Sequence, residues 1–174
     1  MKVLLFSPNF YPEKTGIGVS ATDTARFVKS LGHDVQVITS VPYYPEWSIP
    51  EEYRGRLSFK EKVEDISVTR LMRYVPSKPS ALKRIVHELT FAVHALVHSL
   101  FLPADRIICI SPPLLLGFFA VLLSWFKRKP LWFYVQDIQP DAAVELGMLR
   151  GKFLITALRM MEKFIYRFSN KILV

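Results

Sequence analysis

Residues 105–136 read DRIICISPPLLLGFFAVLLSWFKRKPLWFYVQ, and this stretch decides the fold. Asp105 to Ile110 is a short apolar run rich in isoleucine, the composition of a strand covered on both faces. Ser111-Pro112-Pro113 breaks it, because proline lacks the N–H that a strand ladder or a helix interior needs. Leu114 to Phe126 is an uncharged segment of helical length. It ends in Lys127, Arg128 and Lys129, cations suited to the negative end of a helix dipole. Leu131 to Gln136 is a second apolar strand. A strand, a helix and a strand in succession predict parallel pairing with a right-handed crossover.

The alternation extends in both directions. Lys2 to Phe6 is a buried strand, and Ile17 to Leu31 a helix with Ala21, Ala25 and Val28 on one face and Asp23, Arg26 and Ser30 on the other. Asp34 to Thr39 is a strand, followed by a loop rich in proline and aromatic residues (Val41 to Arg56) and two β-rich pieces, Ser58 to Val63 and Ile66 to Met72. Pro79 opens a helix reaching Leu102, with an apolar stripe of Leu82, Ile85, Val86, Leu89, Val93, Leu96, Val97 and Leu100. A short helix over Gln139 to Leu146, a long amphipathic helix over Lys152 to Phe168 and a strand from Lys171 to Val174 complete the pattern. The expected fold is α/β, a Rossmann-like open parallel sheet with helices on both faces, occupying residues 1–174 as one domain.

Composition narrows the function. With 51% hydrophobic and 22% charged residues among 174, a disordered chain is excluded, and a single cysteine excludes a disulfide scaffold. A net charge of +8 points to an anionic partner: a phosphate, a membrane surface or nucleic acid. The patterns of nucleic-acid-binding modules, of a Walker loop and of a G-x-S-x-G elbow are all missing, so no nucleic acid partner is expected. The apolar runs at Val3 to Phe6 and Ser111 to Phe126 are too short for a secretory signal and a bilayer span. A cytoplasmic location with peripheral membrane contact is expected. The chain stops in a strand without a closing helix, which predicts that it belongs to a longer polypeptide.

Ligands of open parallel sheets bind beyond the C-terminal ends of the strands. Four unusual segments follow those ends: SPNFYPEKTGIG, SVPYYPEW, SPP and QDIQPD. Gly16-Ile17-Gly18 opens a helix whose free N–H groups and positive dipole end suit a diphosphate. The string also satisfies G-x-G-x-x-A, but Gly16 lies ten residues beyond Phe6 and no acid ends the second strand. Phosphate binding, a plain helix start and the nicotinamide site of an NAD-dependent oxidoreductase all stay open here. Tyr43, Tyr44 and Trp47 form either a packed loop or a stacking surface for sugar or lipid. Asp137 is placed to accept a hydrogen bond from a hydroxyl or to act as a base, whereas Asp141 suits a helix cap. His87, His94 and His98 share a helix face, yet no cysteine or carboxylate completes a ligand set, so no metal is expected. Lys152, Arg159, Lys163 and Arg167 line one face of the last helix, a membrane-facing or a simply solvated surface.

SPNFYPEKTGIG, ARFVKSLGHDVQVITSVPYYPEW, ISPP and VQDIQPDAAVELGML together resemble the N-terminal half of family-four retaining glycosyltransferases, of the colanic-acid-biosynthesis type. The resemblance runs over essentially the whole chain. It implies a GT-B architecture, with a nucleotide sugar bound between two Rossmann-like halves, of which this is the acceptor side. Gly16, Ile17 and Gly18 would then approach the donor diphosphate, and Asp137 would be the catalytic residue beside the donor sugar. Tyr43, Tyr44, Trp47 and Ser111 would face a glycan or polyprenyl-diphosphate-linked acceptor in surface polysaccharide biosynthesis. Configuration would be retained without metal or other cofactor. The nucleotide pocket would lie in a C-terminal domain that this chain lacks, leaving the chain inactive alone. The competing class is a non-catalytic binding module that docks on membrane or on a protein partner.

Overall fold

Strands that are apolar on both faces must pair inside a sheet covered on both sides. The computed structural model describes residues 1–14, 16–137 and 151–174. Its strands are β1 (Lys2–Phe6), β2 (Asp34–Ser40), β3 (Ser58–Val63), β4 (Ile66–Leu71), β5 (Arg106–Ser111), β6 (Leu131–Val135) and β7 (Lys171–Leu173). They form one sheet in the order β3-β4-β2-β1-β5-β6-β7. Among the described residues only β3 runs antiparallel, as a hairpin with β4. The six parallel strands follow the doubly wound order, with its reversal between β1 and β5. Phe6 pairs with both Ile38 and Cys109, so the strand ends facing that reversal are level.

Successive strand residues face opposite sides, which divides the core in two. On one side α1 (Ile17–Ser30) lays Ala21 and Ala25 on Val3, Leu5, Val35, Val37, Ile108 and Ile110. On the other, α2 (Ala81–Ser99), α3 (Leu114–Lys127) and α4 (Lys152–Phe168) cover Leu4, Phe6, Ile38, Ile107, Cys109 and Phe133. The expected α/β class and strand alternation are the fold observed. The helix expected over residues 139–146 and the cap at Asp141 lie outside the described residues.

Two expectations about surfaces change. The apolar stripe of α2 is divided: Leu96 and Leu100 pack against the core, Leu82, Ile85, Val86, Leu89, Val93 and Val97 are exposed, and the buried face is His87, Phe91, Ala92, Ala95 and Ser99. Small residues at 92, 95 and 99 let the helix axis approach the sheet, which larger side chains would hold off. The cation cluster at the end of α3 is partly internal. Lys127 Nζ donates to the carbonyls of Leu100 (2.8 Å) and Leu102 (2.7 Å), and Lys129 lies 3.9 Å from Asp105. Lys127 thus fastens α3 to the turn after α2, and Lys129 sits beside Asp105 just before β5. Among the described residues no helix is long and apolar enough to cross a bilayer.

Candidate functional site

The loops at the sheet reversal are tied together by one carboxylate. Glu13, 9% exposed, accepts through Oε1 from the backbone N–H groups of Tyr43 (3.1 Å) and Tyr44 (3.0 Å), and through Oε2 from Asn9 Nδ2 (2.7 Å). It joins the loop after β1 to the loop after β2. Arg70, buried on β4, secures the same loop from beneath: its Nε donates to Glu61 (2.7 Å) and its Nη2 to the carbonyl of Tyr11. The glycines complete this arrangement. Gly16 adopts φ 54° and ψ −133°, a conformation that a Cβ disfavours. At Gly18 a Cβ would stand 2.7 Å from the carbonyl oxygen of Glu13, so the chain itself occupies the space beside that glycine.

These loops and α2 enclose a cavity of about 160 Å³, open to the edge of the sheet. Pro8 and Asn9 follow β1, Ile17 begins α1, Tyr43 and Trp47 follow β2, Arg73 follows β4, and Pro112 and Pro113 follow β5. Arg84, His87 and Glu88 reach it from α2. The Arg73 guanidinium lies between the rings of Tyr43 (5.2 Å) and Phe91 (5.0 Å). Its Nε and Nη2 both donate to the carbonyl of His87, at 3.2 and 2.9 Å. The rings of Tyr43 and His87 meet edge to face at 4.7 Å, and Trp47 packs 5.1 Å from His87 with Arg84 over its face at 5.5 Å.

Burial perturbs four of the titratable groups that line this cavity. It brings Arg73 down to about 10. His87 is pushed down to about 4, by burial first and by the positive Arg73 second. Burial also raises the Tyr43 phenol and the Glu88 carboxyl. The sign for His87 is set by linkage. Above pH 6.5 the ring is neutral whether folded or unfolded; below it the unfolded chain binds a proton that the folded chain refuses until about 4. Stability is therefore expected to fall as pH drops through that window, by at most about 3 kcal/mol because Glu88 works in the opposite sense. Urea midpoints measured across the window check this, and a flat profile would reject a buried neutral His87.

Of the residues singled out from sequence, Ile17, Tyr43, Trp47 and His87 line the cavity; Gly16, Gly18, Tyr44, Ser111 and Asp137 do not. Tyr43 is buried against its own neighbours and offers no open ring face, whereas Tyr44 is exposed. Ser111 is buried at the end of β5, its carbonyl accepting from Gln136 N at 3.3 Å and its hydroxyl without a partner among the described residues. Asp137 is exposed, just past β6 at the same edge of the sheet. Strands β1 and β6 flank β5, so their ends lie about 10 Å apart. The histidines turn toward backbone: His87 Nδ1 lies 2.6 Å from the Tyr74 carbonyl and His94 Nδ1 3.0 Å from that of Met72. Among the described residues no cluster of three or more His, Cys, Asp or Glu is placed to hold a metal. Lys152, Arg159, Lys163 and Arg167 are exposed along α4, near exposed Phe153 and Met160. Glu13, Arg73, Arg84 and Glu88 were not singled out from sequence; a buried arginine directly after an apolar strand was the available signal.

A parallel sheet in this order, with a cavity at its reversal, is the ligand-binding α/β architecture of Rossmann type. Residues 15–174 match the family described as "Glycosyl transferase 4-like domain", and the chain belongs to that family. It is 36% identical over 160 residues to WcaI of Escherichia coli (strain K12), which carries the name of a colanic acid biosynthesis glycosyl transferase. The aligned region is 87% of this chain and 38% of WcaI. Two solved structures share the fold. The catalytic domain of starch synthase IV from Arabidopsis thaliana, bound to ADP and acarbose, superposes with a TM-score of 0.57 at 16% identity, over 78% of this chain and 34% of that one. Sucrose-phosphate synthase from Thermosynechococcus elongatus does so with a TM-score of 0.60 at 11% identity, over 98% and 41%. The chain thus spans less than half the length of each relative. The family resemblance read from the motifs holds, and it places the chain with transferases, not with NAD-dependent oxidoreductases.

Proposed function

We propose that the chain is the acceptor-side half of a retaining glycosyltransferase, moving a sugar from a nucleotide-sugar donor to a glycan or polyprenyl-diphosphate-linked acceptor of a surface polysaccharide. The observation that carries this reading is the cavity at the sheet reversal. In a chain of a glycosyl transferase family, aromatic, cationic and carboxyl side chains converge there from separate segments. The acceptor occupies that cavity. The donor diphosphate approaches the backbone at Gly16, Ile17 and Gly18, where the N–H groups opening α1 are free of helix partners. Asp137 stands by the donor sugar, where its carboxylate holds a hydroxyl or stabilises positive charge developing on the ring. No metal or other cofactor takes part. A second, C-terminal domain supplies the nucleotide pocket, so the 174-residue chain alone transfers nothing. The exposed cations of α4 rest on the anionic cytoplasmic face of a membrane, each contributing about 1 kcal/mol there, and bring a lipid-linked acceptor within reach.

The test is turnover of nucleotide sugars by the longer protein carrying this chain, supplied with lipid-linked glycans and followed by mass spectrometry and by anomeric NMR of the product. Transfer with retained configuration by the longer protein, and none by residues 1–174 alone, is the expected result. Absence of transfer to every lipid-linked glycan, or an inverted product, would reject it.

A further inference from the structure

Two residues that line the cavity each carry a buried polar atom with no partner among the described residues: Nη1 of Arg73 and Nε2 of His87. Arg73 is 5% exposed and His87 3%. A buried donor or acceptor left unpaired costs about 1–3 kcal/mol, so two on one wall need a reason. The two atoms have opposite polarity. A guanidinium only donates. Tyr74 presents a carbonyl to His87 Nδ1, and a carbonyl only accepts, so the neutral ring carries its hydrogen on Nδ1 and offers a bare lone pair at Nε2.

A group that satisfies both atoms must accept from one and donate to the other. A carboxylate or a fully ionised phosphate monoester satisfies Arg73 but, having no hydrogen to donate, opposes the His87 lone pair, and Glu88 adds a second acidic group to the cavity lining. A sugar hydroxyl does both. We propose that Arg73 and His87 form a subsite that reads a neutral sugar hydroxyl of the acceptor, flanked by Trp47 and Tyr43 and by Arg84 and Glu88 at the mouth. Arg73 donates to the hydroxyl oxygen, and the hydroxyl hydrogen, or that of its neighbour on the ring, goes to His87 Nε2. The acceptor moiety held here is then an uncharged hexose and not a uronic acid or a phosphate. This rests on the acceptor-side reading above, and its test is direct binding, so either can fail alone.

The experiment is imidazole nitrogen NMR on this chain, titrated with methyl glycosides of glucose, galactose and mannose, with methyl glucuronide and with inorganic phosphate. At least one neutral glycoside is expected to move His87 Nε2 as an accepted hydrogen bond does, with no proton taken up, and to bind about tenfold more tightly than the glucuronide. His87→Asn keeps a donor toward the Tyr74 carbonyl while removing the Nε2 lone pair. It should lose about tenfold in glycoside affinity while keeping its amide spectrum. Equal or tighter binding of glucuronide or phosphate, with His87 becoming protonated, overturns the subsite. So does an unmoved Nε2 signal with every glycoside at high concentration.

Discussion

Asp137→Ala, in a protein that joins this chain to a donor-side domain as proposed, is expected to lower kcat by about 10²–10⁴-fold at an unchanged melting temperature. The two halves of that expectation have separate grounds. Asp137 is exposed and makes no hydrogen bond or ion pair with the described residues, and such surface positions typically change stability by less than about 0.5 kcal/mol. Its backbone is nevertheless fixed, because the preceding Gln136 N–H is held by the Ser111 carbonyl. A carboxylate just past the end of β6, one strand from the sheet reversal and without a partner among the described residues, is available for substrate. Asp137→Asn separates the two roles open to it. If the carboxylate holds a hydroxyl, the amide oxygen retains part of the rate; if it stabilises charge, asparagine falls as far as alanine. Near-native kcat in the alanine variant would remove Asp137 from the reaction.

The parts of this molecule legible in sequence are those where one residue type answers one local demand. Runs such as RIICI and LWFYV announce strands because burial on both faces leaves no place for polar alternation, and β5 and β6 begin and end within a residue or two of where those runs predict. Strand order is not written locally, since an apolar run says nothing about its neighbours. For α2 the periodicity was plain and its meaning was not. A stripe shows that a helix has two faces, but Ala92, Ala95 and Ser99 chose the buried one by their size. At the site, glycines and aromatic rings were visible by type. Glu13 and Arg73 were not, because their partners are backbone groups 30 or 31 and 14 residues away. His87 stood out in sequence only through a histidine spacing that lacked the rest of a metal-ligand set, and nothing local announced its neighbours, a carbonyl, an arginine and two rings.

Gly18→Val is expected to lower stability by about 3 kcal/mol, because overpacking against a fixed group cannot be relieved by a rotamer change. For a domain of this length that is a fall in Tm of about 6–12 °C. The sequence gives a different expectation for the same variant: a side chain blocking approach of the donor diphosphate, with weaker donor binding and an intact fold. The geometry separates the two. The position of a Cβ at residue 18 is taken by the Glu13 carbonyl at 2.7 Å, a backbone atom with nowhere to retreat, since the Glu13 side chain is anchored to Tyr43 and Tyr44. Gly18→Ala gives the decisive sign. Alanine gains over glycine in a helix, by up to about 1 kcal/mol in the interior and less in the first turn where Gly18 lies, so a loss at this position isolates the collision. Chemical denaturation of both variants, with the nucleotide-sugar KM measured in the longer protein, distinguishes the causes. Unchanged stability with a raised KM would tie the effect of the side chain to the diphosphate alone; lowered stability in both variants makes Gly18 also the contact that seats the loop after β1, and with it the wall formed by Tyr43 and Trp47.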